Sequence, residues 1–195
     1  MPLAERLAYN WQKLQAVMQL VFGRSAAAGA LFDAMLQRWP NDAYARASRA
    51  HLRAQSGQLQ DAIADAQQLV AAHPTRSAAD WFNLAFVLEK ANRLEEAETA
   101  FRRAVEIDAK LDRGWYGLGL VLVRLGRLDD AAIALKRNTE LQPMSPYGWY
   151  QLARVQINRQ RPEEAVKIIR HLQGFEPKVA AQLERETGLV VSKPG

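Results

Sequence analysis

Three adjacent carboxylate pairs, Glu95-Glu96, Asp129-Asp130 and Glu163-Glu164, are of the right type for acid–base chemistry. Two carboxylates held close can push their pKa values apart and serve as acid and base. Their spacing argues for a different use. The pairs recur every 34 residues, each at the start of a repeated helical segment. There an acidic side chain stabilises the helix N-terminus by a few tenths to about 1 kcal/mol. Arg102-Arg103 and Lys136-Arg137 follow two turns later and suit charge pairs along a solvated face. His51, His73 and His171 each lack a second ligand three or four residues away, as a helical metal site would supply. Gly117-Leu118-Gly119 lacks the third glycine and the preceding strand of a phosphate-binding loop. With no cysteine, the chain has no thiolate nucleophile, disulfide framework or cysteine zinc site. The reading is therefore a protein with no catalytic residue, no cofactor and no metal, and not an enzyme.

The elements that carry these residues follow from composition and period. Of 195 residues, 49% are hydrophobic and 24% charged, enough apolar surface for one ordinary folded domain. The N-terminal stretch is interrupted by Glu5 and Arg6, so it does not read as a secretory signal. No apolar run reaches the ~18–20 residues needed to span a bilayer. Absence of cysteine is compatible with a cytoplasmic location, which is the expectation.

Self-similarity dominates the chain. Trp81, Trp115 and Trp149 stand 34 apart, as do Leu84, Leu118 and Leu152. A small residue follows each leucine, namely Ala85, Gly119 and Ala153. Ala97, Ala131 and Ala165 continue the phase, then Phe101, Leu135 and Ile169, then Ala109, Pro143 and Pro177. Upstream, Gly23 and Gly57, Ala28 and Ala62, and Pro40 and Pro74 keep the same interval of 34, and Phe32 fills the large apolar slot of the first copy. One extra residue separates the second and third copies. Trp81, Leu84 and Leu88 share a helical face, as do Ala97, Phe101 and Ala104. The tryptophans are assigned to the core. Asn92 and Gly126 suit left-handed turn positions between paired helices, and Pro146 and Pro162 suit a first helical turn.

This pattern resembles the tetratricopeptide repeat family, whose motif runs Trp-x2-Leu-Gly-x2-Tyr, then Ala, Phe and Pro. The resemblance implies an all-α fold. It is a right-handed α-α superhelix of about five helix-turn-helix repeats plus a C-terminal capping helix, forming one solenoid domain over 1–195. The repeats are placed at 9–42, 43–76, 78–111, 112–145 and 146–179, with the capping helix at 178–188. Residues 2–22 predict a first helix longer than a repeat requires, and Val190 to Gly195 a loose tail.

In this family the first helix of each repeat lines the concave side. The resemblance therefore nominates a partner-binding groove of Phe82, Phe86, Lys90, Arg113, Tyr116, Arg124, Tyr147, Tyr150 and Arg154. The second repeat offers Tyr44, Ala47, His51, Ala54 and Gln55. Aromatic side chains interleaved with arginine are the composition of binding hot spots. The implied function is an adaptor or scaffold that holds a peptide or helix of another protein. An acidic or amphipathic segment suits the net charge of +5. A carboxylate clamp of the kind that seizes chaperone tails is incomplete. Only Asn83 and Arg113 match its slots, and Ala47, His51 and Gly117 occupy the others. Asn138 and Gln156 put polar groups at packing slots; either they face a widened groove or they are paired locally. Alternatives are a secretion or assembly chaperone, and RNA or DNA held by a basic groove with tyrosines stacking on bases. The scattered basic residues make nucleic acid the less favoured partner. A homodimer is a further expectation, because Trp11 and Phe22 would lie exposed at the open N-terminal end.

Overall fold

The apolar periodicity of 3.6 residues, broken by Gly, Asn and Pro, resolves into helices throughout. The computed structural model describes residues 2–191, which form eleven α-helices and no strand. Two compact units divide the chain, Met1–Asn92 and Arg93–Gly195. The first holds α1 (Leu3–Val21), α2 (Ser25–Arg38), α3 (Ala43–Gln55), α4 (Leu59–Ala72) and α5 (Ala78–Lys90). The second holds α6 (Leu94–Ile107), α7 (Asp112–Arg124), α8 (Leu128–Leu141), α9 (Pro146–Asn158), α10 (Pro162–Gln173) and α11 (Pro177–Thr187). Within each unit, helices consecutive in the chain pack on one another. α3, α5, α7 and α9 run 13 residues each, whereas α1 runs 19.

Short connections reverse the chain. Gly126 between α7 and α8 has φ +75°, and Asn92 after α5 has φ +60°, the left-handed region that Gly and Asn tolerate best. Pro146 and Pro162 open α9 and α10, where the missing N–H is not needed. Ser145 caps α9 by position only, since its side chain makes no capping hydrogen bond. The acidic pairs sit in the first turns of α6, α8 and α10. Several are also ion-paired: Glu96 with Arg93, Asp129 with Arg159, and Glu164 with Lys167.

The repeated apolar slots form the cores. Leu84, Leu118 and Leu152 are buried, as are Ala97, Ala131 and Ala165, and Phe101, Leu135 and Ile169. In the first unit Phe32, Ala28 and Ala62 fill the equivalent slots with no exposure. Close approach of α7 to its neighbours depends on glycine. A Cβ on Gly117 would stand 2.5 Å from the Phe101 ring, and one on Gly119 would stand 2.6 Å from Leu135.

Two expectations need correction. The tryptophans are not core. Trp81, Trp115 and Trp149 are partly exposed, because an indole N–H needs a partner that a dry core lacks. Each donates to the carbonyl at the end of the preceding repeat: Trp81 to Pro74 (2.8 Å), Trp115 to Ala109 (3.0 Å) and Trp149 to Pro143 (2.8 Å). The tail is not loose from Val190. Val191 is buried, its N–H donates to Glu184 (3.1 Å), and its carbonyl accepts from Gln173 (3.1 Å). The rest of that tail, 192–195, lies outside the described residues.

Candidate functional site

In the first unit the nominated residues are Phe82, Phe86 and Lys90, one helical turn apart on α5. Their spacing stacks the Phe82 and Phe86 rings with centroids 6.4 Å apart. The Lys90 ammonium stands 4.6 Å above the Phe86 ring, an exposed cation–π contact of ~0.5–1 kcal/mol. Phe86 is 42% exposed. It borders a cavity of about 110 Å³ together with Asn83 and Lys90 from α5 and Ala47, His51, Ala54 and Gln55 from α3. Ala62, Ala66 and Leu69 of α4 make its apolar floor. Tyr44 does not join this pocket. Its ring meets Phe32 edge-on at 6.0 Å and carries Lys13 at 4.1 Å, so it belongs to the packing of α1 and α2.

In the second unit Tyr116 of α7 and Tyr147, Tyr150 and Gln151 of α9 line a separate pocket with Val179 and Gln182 of α11. Tyr147 is 71% exposed. Tyr150 is already engaged: its hydroxyl donates to Glu186 of α11 (2.7 Å). Gln182 binds the same carboxylate at 2.7 Å, and the Arg154 guanidinium lies 5.6 Å from the Tyr150 ring. The Glu186 acceptor, then burial, raises the Tyr150 hydroxyl above its ordinary value, while Gln182, then Tyr150, holds the Glu186 carboxyl below its own. Arg113 and Arg124 are exposed near opposite ends of α7 and do not line this pocket.

The polar departures are paired locally. Asn138 Nδ2 donates to the Asp112 carbonyl (2.9 Å), and Gln156 Oε1 accepts from Arg159 (3.0 Å). Asn138 also crowds Gly148, whose Cβ would meet its Oδ1 at 2.1 Å. Two of the histidines serve packing and turns: His73 Nε2 meets the Asn41 carbonyl at 3.0 Å, and His171 lies between Trp149 and Phe175 at 4.4 and 5.3 Å. Among the described residues no group of three or more His, Asp or Glu side chains is placed to hold a metal ion. None of the described helices is long and apolar enough to cross a membrane.

Sequence reasoning passed over a charged cluster in the first unit. Asp65 of α4 is 2% exposed and takes a bidentate pair from Arg49, Nε to Oδ2 at 2.8 Å and Nη2 to Oδ1 at 2.6 Å. Arg53 adds a bond of 2.7 Å to Asp65, and Arg49 reaches Asp33 of α2 at 2.7 Å. Arg46 bonds Gln68 and the Pro40 carbonyl. The signal was available. With the extra residue counted, Arg46, Arg49 and Arg53 occupy the slots of Trp81, Leu84 and Leu88. Arg46 even reproduces the tryptophan's bond to the carbonyl that closes the preceding repeat.

Comparison with known families assigns these repeated helix pairs. The model described as "Tetratricopeptide repeat" matches residues 48–112 and 116–177, more than half of the chain. This chain belongs to the tetratricopeptide repeat family. No curated protein matches it in sequence. Among solved structures it is similar to a MamA protein, with TM-score 0.81 and 19% identity over 94% of this chain and 97% of that one. MamA residues 41-end from Desulfovibrio magneticus RS-1 give TM-score 0.76 and 16% identity over 93% and 97%. YrrB, described as a tetratricopeptide protein with an unusual peptide-binding site, gives 0.77 and 19% over 87% and 88%. At these identities the likeness is one of fold, an all-α solenoid of helical repeats.

Proposed function

We propose that this chain is a non-enzymatic adaptor that binds a peptide or helical segment of a partner protein against the first helices of its tetratricopeptide repeats. One observation carries the reading. Phe86 and Tyr147 stand outside the apolar slots that build the cores, at 42% and 71% exposure, each bordering a pocket. Solvent-facing aromatic side chains beside a cavity are suited to accept apolar anchors. Lys90 over Phe86 and Arg154 beside Tyr150 favour acidic flanks in the bound segment. YrrB, with its peptide-binding site, is a precedent on the same fold.

Tyr147 is a cleaner probe than Tyr150, whose hydroxyl serves α11. The test compares proteins captured from the native source by the wild-type chain and by the double variant Phe86→Ala, Tyr147→Ala. Both side chains are outside the cores, so helicity by circular dichroism should be retained. Loss of a defined partner, with at least a tenfold weaker Kd or about 1.4 kcal/mol when that partner is titrated, supports the reading. Retention of every partner at full affinity removes these pockets as the binding surface.

A further inference from the structure

The first helix packs on the unit through Tyr9 and Ala16 and leaves a long apolar face uncovered. Several of its polar side chains also turn toward the unit: Glu5 accepts from the Trp39 indole (3.2 Å), Lys13 covers the Tyr44 ring, and Gln12 and Gln19 bury their amide oxygens. Its large aliphatic side chains and Trp11 turn outward. Leu7, Trp11, Leu14, Met18 and Val21 are 61, 61, 51, 43 and 72% exposed. Their intervals of four, three, four and three are those of a coiled-coil seam. Within α1 the positions flanking that seam, Leu3, Ala8, Asn10, Gln15 and Val17, carry no charge.

We infer that this face of α1 is covered by the same face of a second copy of the chain, giving a homodimer. Three observations select that occupant. A two-fold axis places one patch on itself, which a heptad seam satisfies by construction. Uncharged flanks neither repel an identical copy nor recruit an oppositely charged partner. Nine large apolar residues between positions 3 and 22 are each at least 36% exposed, a strip that supplies the apolar surface a standard interface of ~800 Å² per partner requires. A recess between α1 and α2, lined by Trp11, Leu14, Met18, Ala27, Ala30 and Leu31, provides room for a large side chain from the second copy. This dimer face lies on the outer side of α1, so it stands or falls separately from the peptide-binding reading.

The test is the mass of the full chain by light scattering at about 10 μM, in the range where interfaces of this size are populated. Two 21.9 kDa chains per particle are expected. Leu7→Glu and Leu14→Glu, at positions more than half exposed in one copy, should keep their helicity yet raise the dimer Kd at least about a hundredfold, since each buries a carboxylate in the seam. The chain has no native cysteine, so Leu14→Cys gives a clean second readout. Its alkylation should slow as protein concentration rises. A wild-type monomer at about 100 μM overturns the proposal, as does a dimer that both glutamate variants leave intact. A monomer whose α1 face captures an unrelated protein overturns it as well, and assigns the face to that partner.

Discussion

Gly117 shows how one absent methyl group sets helix spacing. In the middle of α7 a glycine costs roughly 0.5–1 kcal/mol relative to alanine, so Gly117→Ala would stabilise an isolated helix. In the folded chain the new Cβ would meet the Phe101 ring at 2.5 Å. Phe101 is 1% exposed, a core side chain that would have to shift, so overpacking of ~1–3 kcal/mol wins. Urea unfolding of Gly117→Ala should therefore show a net loss of about 1–2 kcal/mol. An unchanged or raised midpoint would mean that α6 and α7 can part without cost. Tyr9 makes a second prediction at this scale. Burial first, then the Asp42 carboxylate, pushes its hydroxyl up to about 12. An unfolded tyrosine releases its proton near pH 10, so between there and about 12 the unfolded state binds fewer protons than the folded one. Stability is then full below pH ~10 and falls as pH rises through that window. Tyr9→Phe should flatten the fall expected between about pH 10 and 12 in urea midpoints. Part of the slope should persist, because Tyr150 is held protonated by Glu186 in the same sense. A slope identical to wild type would show that Tyr9 titrates normally.

At the level of the helix, the repeats divide by what fills their shared slots. In α5 and α7 the face runs Trp81, Leu84, Leu88 and Trp115, Leu118, Leu122, and its leucines are buried at 4, 2, 2 and 1% exposure. These were legible because a buried apolar slot admits few residue types, so its period survives in the sequence. In α3 the same slots hold Arg46, Arg49 and Arg53, answered by Asp65 of α4 and Asp33 of α2. A charged network preserves the geometry while erasing the hydrophobic signal, so periodicity alone leaves that helix looking degenerate. The tryptophans illustrate the converse. Their period was plain, yet their burial was misjudged, because the constraint on them is a hydrogen bond to the Pro74, Ala109 and Pro143 carbonyls. The candidate site was legible only in part. Phe86 and Tyr147 could be named as residues off the core slots, whereas the bond from Tyr150 to Glu186 depends on where α11 lies. No local pattern encodes a contact 36 residues away. The apolar face of α1 was visible as a run of leucines and Trp11, but which face pointed outward depended on Glu5 and Lys13 finding Trp39, just after α2, and Tyr44 of α3.

For the molecule as a whole, the question is how far a local loss travels. A repeat array holds together through contacts between sequential elements, so its stability is close to a sum of repeat and neighbour terms. Asp65 tests this well. It is the buried hub of the arginine seam, and Asp65→Ala would leave Arg49 and Arg53 facing each other without their shared carboxylate. Breaking a buried charge pair from one side typically costs ~3–5 kcal/mol. That loss falls on α3 and α4, whose packing the pair spans, and then on α2 through Arg49 and Asp33. The slots of α8, α9 and α10, with Leu135, Leu152 and Ile169 in place, contain nothing that Asp65 touches. Amide hydrogen exchange of Asp65→Ala should therefore accelerate a hundredfold or more in α3 and α4, a factor that corresponds to ~3 kcal/mol. Amides of α8 to α10 should stay within about threefold of wild type, the scatter that independent sites allow. An equal acceleration across all eleven helices would instead show that the chain unfolds as a single cooperative body, and the nearest-neighbour description would then fail for this solenoid.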